Sequence, residues 1–259
     1  MRLGCAAYSY RDLLKPGLMS LLEFVDACAD MGMDGVELTS YYFPSTHTAY
    51  LHDLKRHCFL RGMHILGTAV GSNFTQADAT KRAENVAMTK AWIDHSVVLG
   101  APCIRVFAGP IPVDTLEEAA HGWALACLQE CVSYAAERGV VVALENHGGV
   151  TSTAVQVQKF LDVIESPWFG INLDFGNFRV DPYAEFAQLA PRTVTTHVKV
   201  TSRFGDERGP VDYRRVRQVM ETAGYRGYLS IEFEEQEDPT VGVPRLAGLL
   251  QQILAEPSA

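Results

Sequence analysis

VVVALENHGGVTSTAVQVQKFLDVIESPWFGINLDFGN, residues 140–177, changes its hydrophobic period twice. Val140–Asn146 is a short run of Val, Ala and Leu. The segment from Thr151 spaces its apolar residues for one face of a helix, and Gly170–Asp174 is short and apolar again. Such a run, too short for a helix and lacking polar alternation, suits a strand buried on both faces, and two of them around an amphipathic stretch suit one βαβ unit of a parallel sheet.

The same alternation continues in both directions. Strands are expected at Leu3–Tyr8, Gly35–Leu38, His64–Val70, Cys103–Ala108, Val140–Asn146, Gly170–Asp174, Thr193–Val200 and Tyr228–Phe233. Helices are expected from Ser20 and from near Thr46, Ala77, Thr115, Thr151, Pro182, Asp212 and Pro239. SLLEFVDACADMG, residues 20–32, is the best marked. A serine cap with Glu23 three residues on offers reciprocal bonds to the first free N–H groups, and the closing glycine allows a left-handed turn. AAERG, VVLG and METAG end the same way just before the next strand. Eight repeats in 259 residues leave about 32 residues each, enough for a strand, a helix and two short loops. The expected fold is α/β, a single (β/α)8 TIM barrel over residues 1–259. An open doubly wound sheet would use the same elements, but AAYSYRD after the first strand lacks the GxGxxG phosphate turn of that fold.

Composition narrows the function. With 47% hydrophobic and 20% charged residues the chain can bury a large core. Its 22 basic against 31 acidic residues give a net charge of -9, unsuited to releasing counterions from DNA or RNA, so no nucleic-acid partner is expected. No apolar stretch approaches the length of a membrane span, and MRLGCAAYSYRD has no signal-peptide core. The expectation is a soluble, cytoplasmic protein without a membrane partner. Cys5, Cys28, Cys58, Cys103, Cys127 and Cys131 form no CxxC pair, which argues against a disulfide framework or a thiolate zinc site.

In a barrel the chemistry gathers where the C-terminal strand ends converge. Strand five, VVVALENH, brings Glu145 and His147 there; strand six, GINLDFGN, brings Asp174; strand seven, TVTTHVKV, brings His197; strand eight, YLSIEFEE, brings Glu232. Alone, each could be a surface carboxylate or a satisfied core histidine. Four titratable groups buried at one end would repel one another unless a cation or a proton compensated them. Three carboxylates and one imidazole make an oxygen-rich set for one divalent ion, Mn2+ before Mg2+, Co2+ or Zn2+. Glu37 ends strand two and could reach a substrate hydroxyl or pair with Arg105. Lys199 has the inward parity of His197 and could bind substrate or close a strand-end salt bridge. Tyr8, Tyr10, Tyr41, Tyr42, Phe43 and Phe107 could wall a sugar face or simply pack.

ALENHGG at 143–149, NLDFGN at 172–177, THVK at 196–199 with Arg203 beyond it, and SIEFE at 230–234 resemble the xylose isomerase-like superfamily of sugar isomerases and epimerases. The family includes ketose 3-epimerases, inosose dehydratases and hydroxypyruvate isomerases. GVELTSYYFP at 35–44 and RGPVDYRRV at 208–216 extend the resemblance over nearly the whole chain. It implies Glu145, Asp174, His197 and Glu232 as metal ligands, Glu145 and Glu232 as the groups that move the substrate proton, and Arg203 as a substrate-binding arginine. A homo-oligomer is a further expectation from the family. The family's DNA-repair members use several metals and many more histidines, which this chain does not match. It departs from the ketose 3-epimerases at two positions: Asn177 stands where they carry a substrate-contacting histidine, and Thr151 where they carry a second glutamate. His147 is an added titratable group, suited to acid or base work near neutral pH or to orienting a ligand.

These residues suit a small sugar or polyol carrying a carbonyl. Loss of a proton beside the carbonyl gives an enediolate, and its return to the neighbouring carbon isomerises, its return to the other face epimerises, and loss of a β-oxygen eliminates. The reading is an isomerase or epimerase with Glu145, Glu232 and His147 as catalytic groups and Arg203, Lys199, Asn177 and Glu37 as substrate-binding ones. The rival is a lyase on keto-sugars, keto-inositols or 3-keto-glycosides, which Asn177 and Thr151 favour. A silent sugar-binding barrel would be indicated by loss of a ligand, and all four are present.

Overall fold

The computed structural model describes residues 1–257. In chain order the elements are β1 (Arg2–Ala6), α1 (Arg11–Leu14), α2 (Leu21–Asp30), β2 (Gly35–Thr39), α3 (Thr48–Leu60), β3 (His64–Ala69), α4 (Ala79–Leu99), β4 (Cys103–Val106), α5 (Glu117–Ala136) and β5 (Val141–Glu145). Then come α6 (Ala154–Val163), β6 (Phe169–Asp174), α7 (Pro182–Leu189), β7 (Thr193–Val198), β8 (Thr201–Phe204), β9 (Glu207–Pro210), α8 (Tyr213–Thr222), β10 (Tyr228–Ile231) and α9 (Pro239–Ala255). Eight strands, β1–β7 and β10, close a parallel barrel in the order β1-β10-β7-β6-β5-β4-β3-β2. The closing seam runs from Arg2↔Tyr228 to Cys5↔Ile231. Among the described residues no helix is long and apolar enough to cross a membrane.

The local signals behave as their chemistry requires. Ser20 and Glu23 form the reciprocal capping box of α2, and Gly100, Gly139 and Gly224 take positive φ between helix and strand. Thr153 and Gln156 form a second box at the start of α6. Strands β2, β4 and β6 are buried along their whole length and the other five barrel strands at all but one residue each, with the helices packed around them.

Four expected strands end two residues early, Cys103–Ala108 at Val106 and Tyr228–Phe233 at Ile231 among them, and in the other two the chain takes up a different structure. Leu3–Tyr8 ends as a strand at Ala6, where Ala7–Tyr10 coils into a 3-10 turn, and one turn of helix, α1, follows. Thr193–Val200 leaves the barrel after Val198, and β8 and β9 form an antiparallel hairpin above the mouth. Gly205 and Asp206 are its two-residue turn, Gly205 at φ +69. Gly-Asp is a recognised hairpin signal. Neither flank alternates apolar and polar residues, so the sequence carries no strand period on either side of it.

The pleat decides which residues reach the mouth. Side chains at i and i+2 of a strand point the same way, so Asn172 and Asp174 of β6 form a same-facing pair, while Phe107, His147, Lys199, Glu232 and Glu234 lie just past the ends of their strands. The ladder slips by one residue between Val36 and Glu37 and between Ile171 and Asn172. The extra residues are Leu66 on β3 and Val194 on β7, and such a bulge re-aims the strand that carries it, on β7 just ahead of His197.

Candidate metal centre and active site

Glu145, Asp174, His197 and Glu232 come together at the C-terminal mouth, all buried, each offering an atom within 4.8 Å of the others'. His197 is the hub. Its Nδ1 lies 3.3 Å from Glu145 Oε2, 3.3 Å from Glu232 Oε2 and 3.9 Å from Asp174 Oδ2. Its Nε2 lies 3.1 Å from both oxygens of Glu37. A histidine whose Nε2–H donates to a carboxylate presents a bare Nδ1 lone pair, the arrangement that orients imidazole metal ligands. Glu37 thus stands behind His197, 1% exposed. It does not pair with Arg105, whose Nε is 3.2 Å from Glu145 Oε2 instead.

Groups the sequence reading did not single out hold the three acidic residues, Glu145 through its carboxylate and the other two through the backbone. Asn172 Nδ2 donates to Glu145 Oε2 at 2.9 Å and lies 3.1 Å from His197 Nδ1. Asn146 brackets Asp174: its Oδ1 accepts from the Asp174 N–H at 2.8 Å and its Nδ2 donates to the Asp174 carbonyl at 3.0 Å. Ser9 brackets Glu232, donating to the Ile231 carbonyl and accepting from the Phe233 N–H, both at 2.9 Å. Parity with Asp174 could have found Asn172. Ser9 and Asn146 carry no local signal, because each acts on a neighbouring strand.

Electrostatics follow from burial and neighbours. Burial pushes the Asp174 carboxyl up to about 7, against the pull of Lys199. Burial also opposes ionisation of Glu145 and Glu232, but Arg105 and His197 hold Glu145 below the usual range, and His197 and Lys199 hold Glu232 well below it. Burial would lower His197, yet Glu232, Glu37 and Glu145 raise it well above its ordinary value. Asp174 Oδ2 is buried without a hydrogen bond. Its charge is faced by the Lys199 ammonium at 3.3 Å, but with no hydrogen bond of its own it keeps a lone pair free beside an imidazole nitrogen and two more carboxylates, where a cation would be favourable. The donor set therefore fits a divalent ion.

The remaining predicted residues lie around this centre. Asn177 Nδ2 reaches Glu145 Oε1 at 3.5 Å. Lys199 Nζ is 3.3 Å from Asp174 Oδ2, 2.6 Å from Glu234 Oε2 and in contact with Glu232 Oε2. His147 is exposed at the rim, its ring centroid 4.1 Å from that of Phe107, with the Arg105 guanidinium 3.9 Å from the same ring centre. Thr151 is buried; its hydroxyl accepts from the His147 N–H and donates to the Gly148 carbonyl, so it fastens the turn that carries His147. Arg203 is on β8 in register with Arg208 and has no ion pair among the described residues. Arg208 lines a cleft with Asn177 and Lys199. Of the aromatic candidates, Tyr10 packs on Phe24, and Phe43 on Tyr50 and Trp92.

A family model described as xylose isomerase-like TIM barrel matches residues 25–253. The chain belongs to this family. No curated protein sequence matches it. Several solved members of the xylose isomerase-like fold superpose on it closely. The IolI protein, solved with a binding zinc atom, is 17% identical, covers 98% of this chain and 96% of its own, and has a TM-score of 0.81. D-psicose 3-epimerase, solved in the presence of D-fructose, is 15% identical over 95% of this chain and 90% of its own, TM-score 0.76. The probable 3-DHS dehydratase AsbF of Bacillus anthracis, involved in petrobactin synthesis, is 16% identical over 100% of both chains, TM-score 0.76. At these identities the likeness is one of fold, and the xylose isomerase-like fold hosts both epimerases and a dehydratase.

Proposed function

We propose that the chain is a divalent-metal-dependent isomerase or epimerase acting on a ketose or related polyol through an enediolate. One observation carries this reading: two buried glutamates share one histidine and keep an oxygen apart from it. Glu145 turns Oε2 to His197 and Asn172, while Oε1 has, among the described residues, the 3.5 Å approach of Asn177. Glu232 likewise turns Oε2 to His197 and Lys199. Glu145, Asp174, His197 through Nδ1, and Glu232 would hold the ion, Mn2+ by its taste for oxygen, with Mg2+, Co2+ and Zn2+ as alternatives; the zinc atom of the IolI relative supports the last. Bound there, a divalent ion supplies Lewis acidity to a carbonyl oxygen and its neighbouring hydroxyl. Glu145 takes the proton from the carbon beside the carbonyl, and Glu232 returns one. Asn177 and Lys199 line the approach and bind hydroxyls, with Arg203 on the hairpin above them.

A lyase is the second reading, and His147 favours it. Exchange between two glutamates needs no third group, whereas elimination needs an acid at the leaving oxygen. His147 stands at the rim on Phe107, with its backbone clamped by Thr151. The deciding experiment is a screen of keto-sugars in deuterated water with Mn2+, following solvent exchange, isomer and elimination product. Isomer without elimination supports the first reading and elimination the second. No exchange from any keto-sugar would remove the enolate chemistry altogether.

A further inference from the structure

We propose that Lys199 is a cation built into the ligand set, which competes with the divalent ion for oxygens of Asp174 and Glu232 and is displaced by it onto Glu234. The inference rests on the metal reading above. Lys199 Nζ touches the oxygens that an ion at the focus of the four ligands would use. Glu232 Oε2, which it contacts, is the oxygen 3.3 Å from His197 Nδ1. Asp174 Oδ2, 3.3 Å from Nζ, is the one 3.9 Å from the same nitrogen. An ordinary strand-end salt bridge needs one carboxylate, and Lys199 has three around it, two of them candidate ligands. A dipositive ion bound to those oxygens would stand within a few ångströms of the ammonium, where burial leaves little water to screen the repulsion.

The surroundings give the ammonium somewhere to go. Glu234 Oε2 is 2.6 Å from Nζ, and the Glu234 side chain is 44% exposed, so this third partner leads outward to the mouth. The cleft beside it is lined by Gly176, Asn177, Lys199, Arg208, Glu234 and Glu235. Gly176 makes the passage: a Cβ there would lie 2.6 Å from Lys199 Cγ and 3.1 Å from Lys199 Cβ. Lys199 therefore sets metal affinity. It neutralises the carboxylates before loading and opposes the ion afterwards, and Glu234 tips the balance by offering the displaced ammonium a partner.

Calorimetric titration of chelator-stripped protein with MnCl2 tests this on wild type, Lys199→Met, Glu234→Gln and the double variant. Lys199→Met should bind Mn2+ tighter by about tenfold or more, because a like charge beside the ion is gone. Glu234→Gln should bind it more weakly, and that penalty should vanish in the Lys199→Met background. Lys199→Gln, with circular dichroism as the check on folding, stands in if the methionine variant does not fold. Affinity that is unchanged or weaker without Lys199, or a Glu234→Gln penalty kept at full size in the double variant, overturns the inference while leaving the metal reading intact. A wild type that binds no Mn2+, Mg2+, Co2+ or Zn2+ overturns both.

Discussion

Replacing Glu37 tests whether the carboxylate behind His197 is part of the metal centre. Both Glu37 oxygens are 3.1 Å from Nε2, and the two side chains are 1% and 0% exposed, so water cannot substitute for the lost partner. Removing such outer partners costs 10–100-fold in metal affinity, about 1.4–2.7 kcal/mol. Glu37→Gln keeps an oxygen that can accept the Nε2–H and loses only the charge, so its loss should lie near the lower figure, about tenfold. Glu37→Leu also leaves a buried donor without an acceptor. It should approach the upper figure, about 100-fold, and cost about 1–3 kcal/mol of stability. The effect should depend on pH. Glu37 helps Glu232 and Glu145 raise His197 well above its ordinary value, so it strengthens the hold on a competing proton as well as on a metal. Without it both weaken, and the penalty for Mn2+ should be larger at pH 8 than at pH 6. Calorimetric titrations at both values measure this directly. A folded Glu37→Gln protein whose Mn2+ affinity at pH 8 stays within about twofold of wild type, below the outer-partner range, would refute the orienting role.

Conservative Glu145→Gln and Glu232→Gln changes should each lower turnover about 100-fold or more, the scale of general base catalysis, with metal content measured in parallel; a variant that keeps both metal and turnover marks that residue as a ligand only. Burial holds the Asp174 carboxyl at about 7 against an ordinary 3.8, so the folded state binds this proton more tightly, and the group's contribution to stability is present below about pH 4 and lost as pH rises to about 7. Melting curves of chelator-treated protein should show that loss, Asp174→Asn should remove it, and saturating Mn2+ should reverse it. His147→Ala should spare solvent exchange at the acidic carbon and abolish product if the enzyme eliminates; unchanged exchange and product would make His147 structural. Gly176→Ala should destabilise by about 1–3 kcal/mol through crowding of the Lys199 stem, read by denaturant unfolding.

The barrel and the convergence of four titratable residues were legible in the chain because both depend on period. Short apolar runs alternating with capped amphipathic segments leave few ways to bury every strand on both faces, and strand ends in such a fold must meet. Glu145, Asp174, His197 and Glu232 could be placed at that meeting point without coordinates. What each side chain touches across the barrel was not legible. Glu37 and His197 are 160 residues apart, and a bulge at Val194 shifts the register of β7 ahead of the histidine. The clamps on Asp174 and Glu232 come from Asn146 and Ser9, which follow the ends of β5 and β1, and Lys199 reaches three carboxylates over a glycine on β6's following loop. Such contacts depend on shear, bulges and rotamers, which a closed barrel sets collectively. A linear period records which way a side chain faces, and only the closed ring decides what it meets.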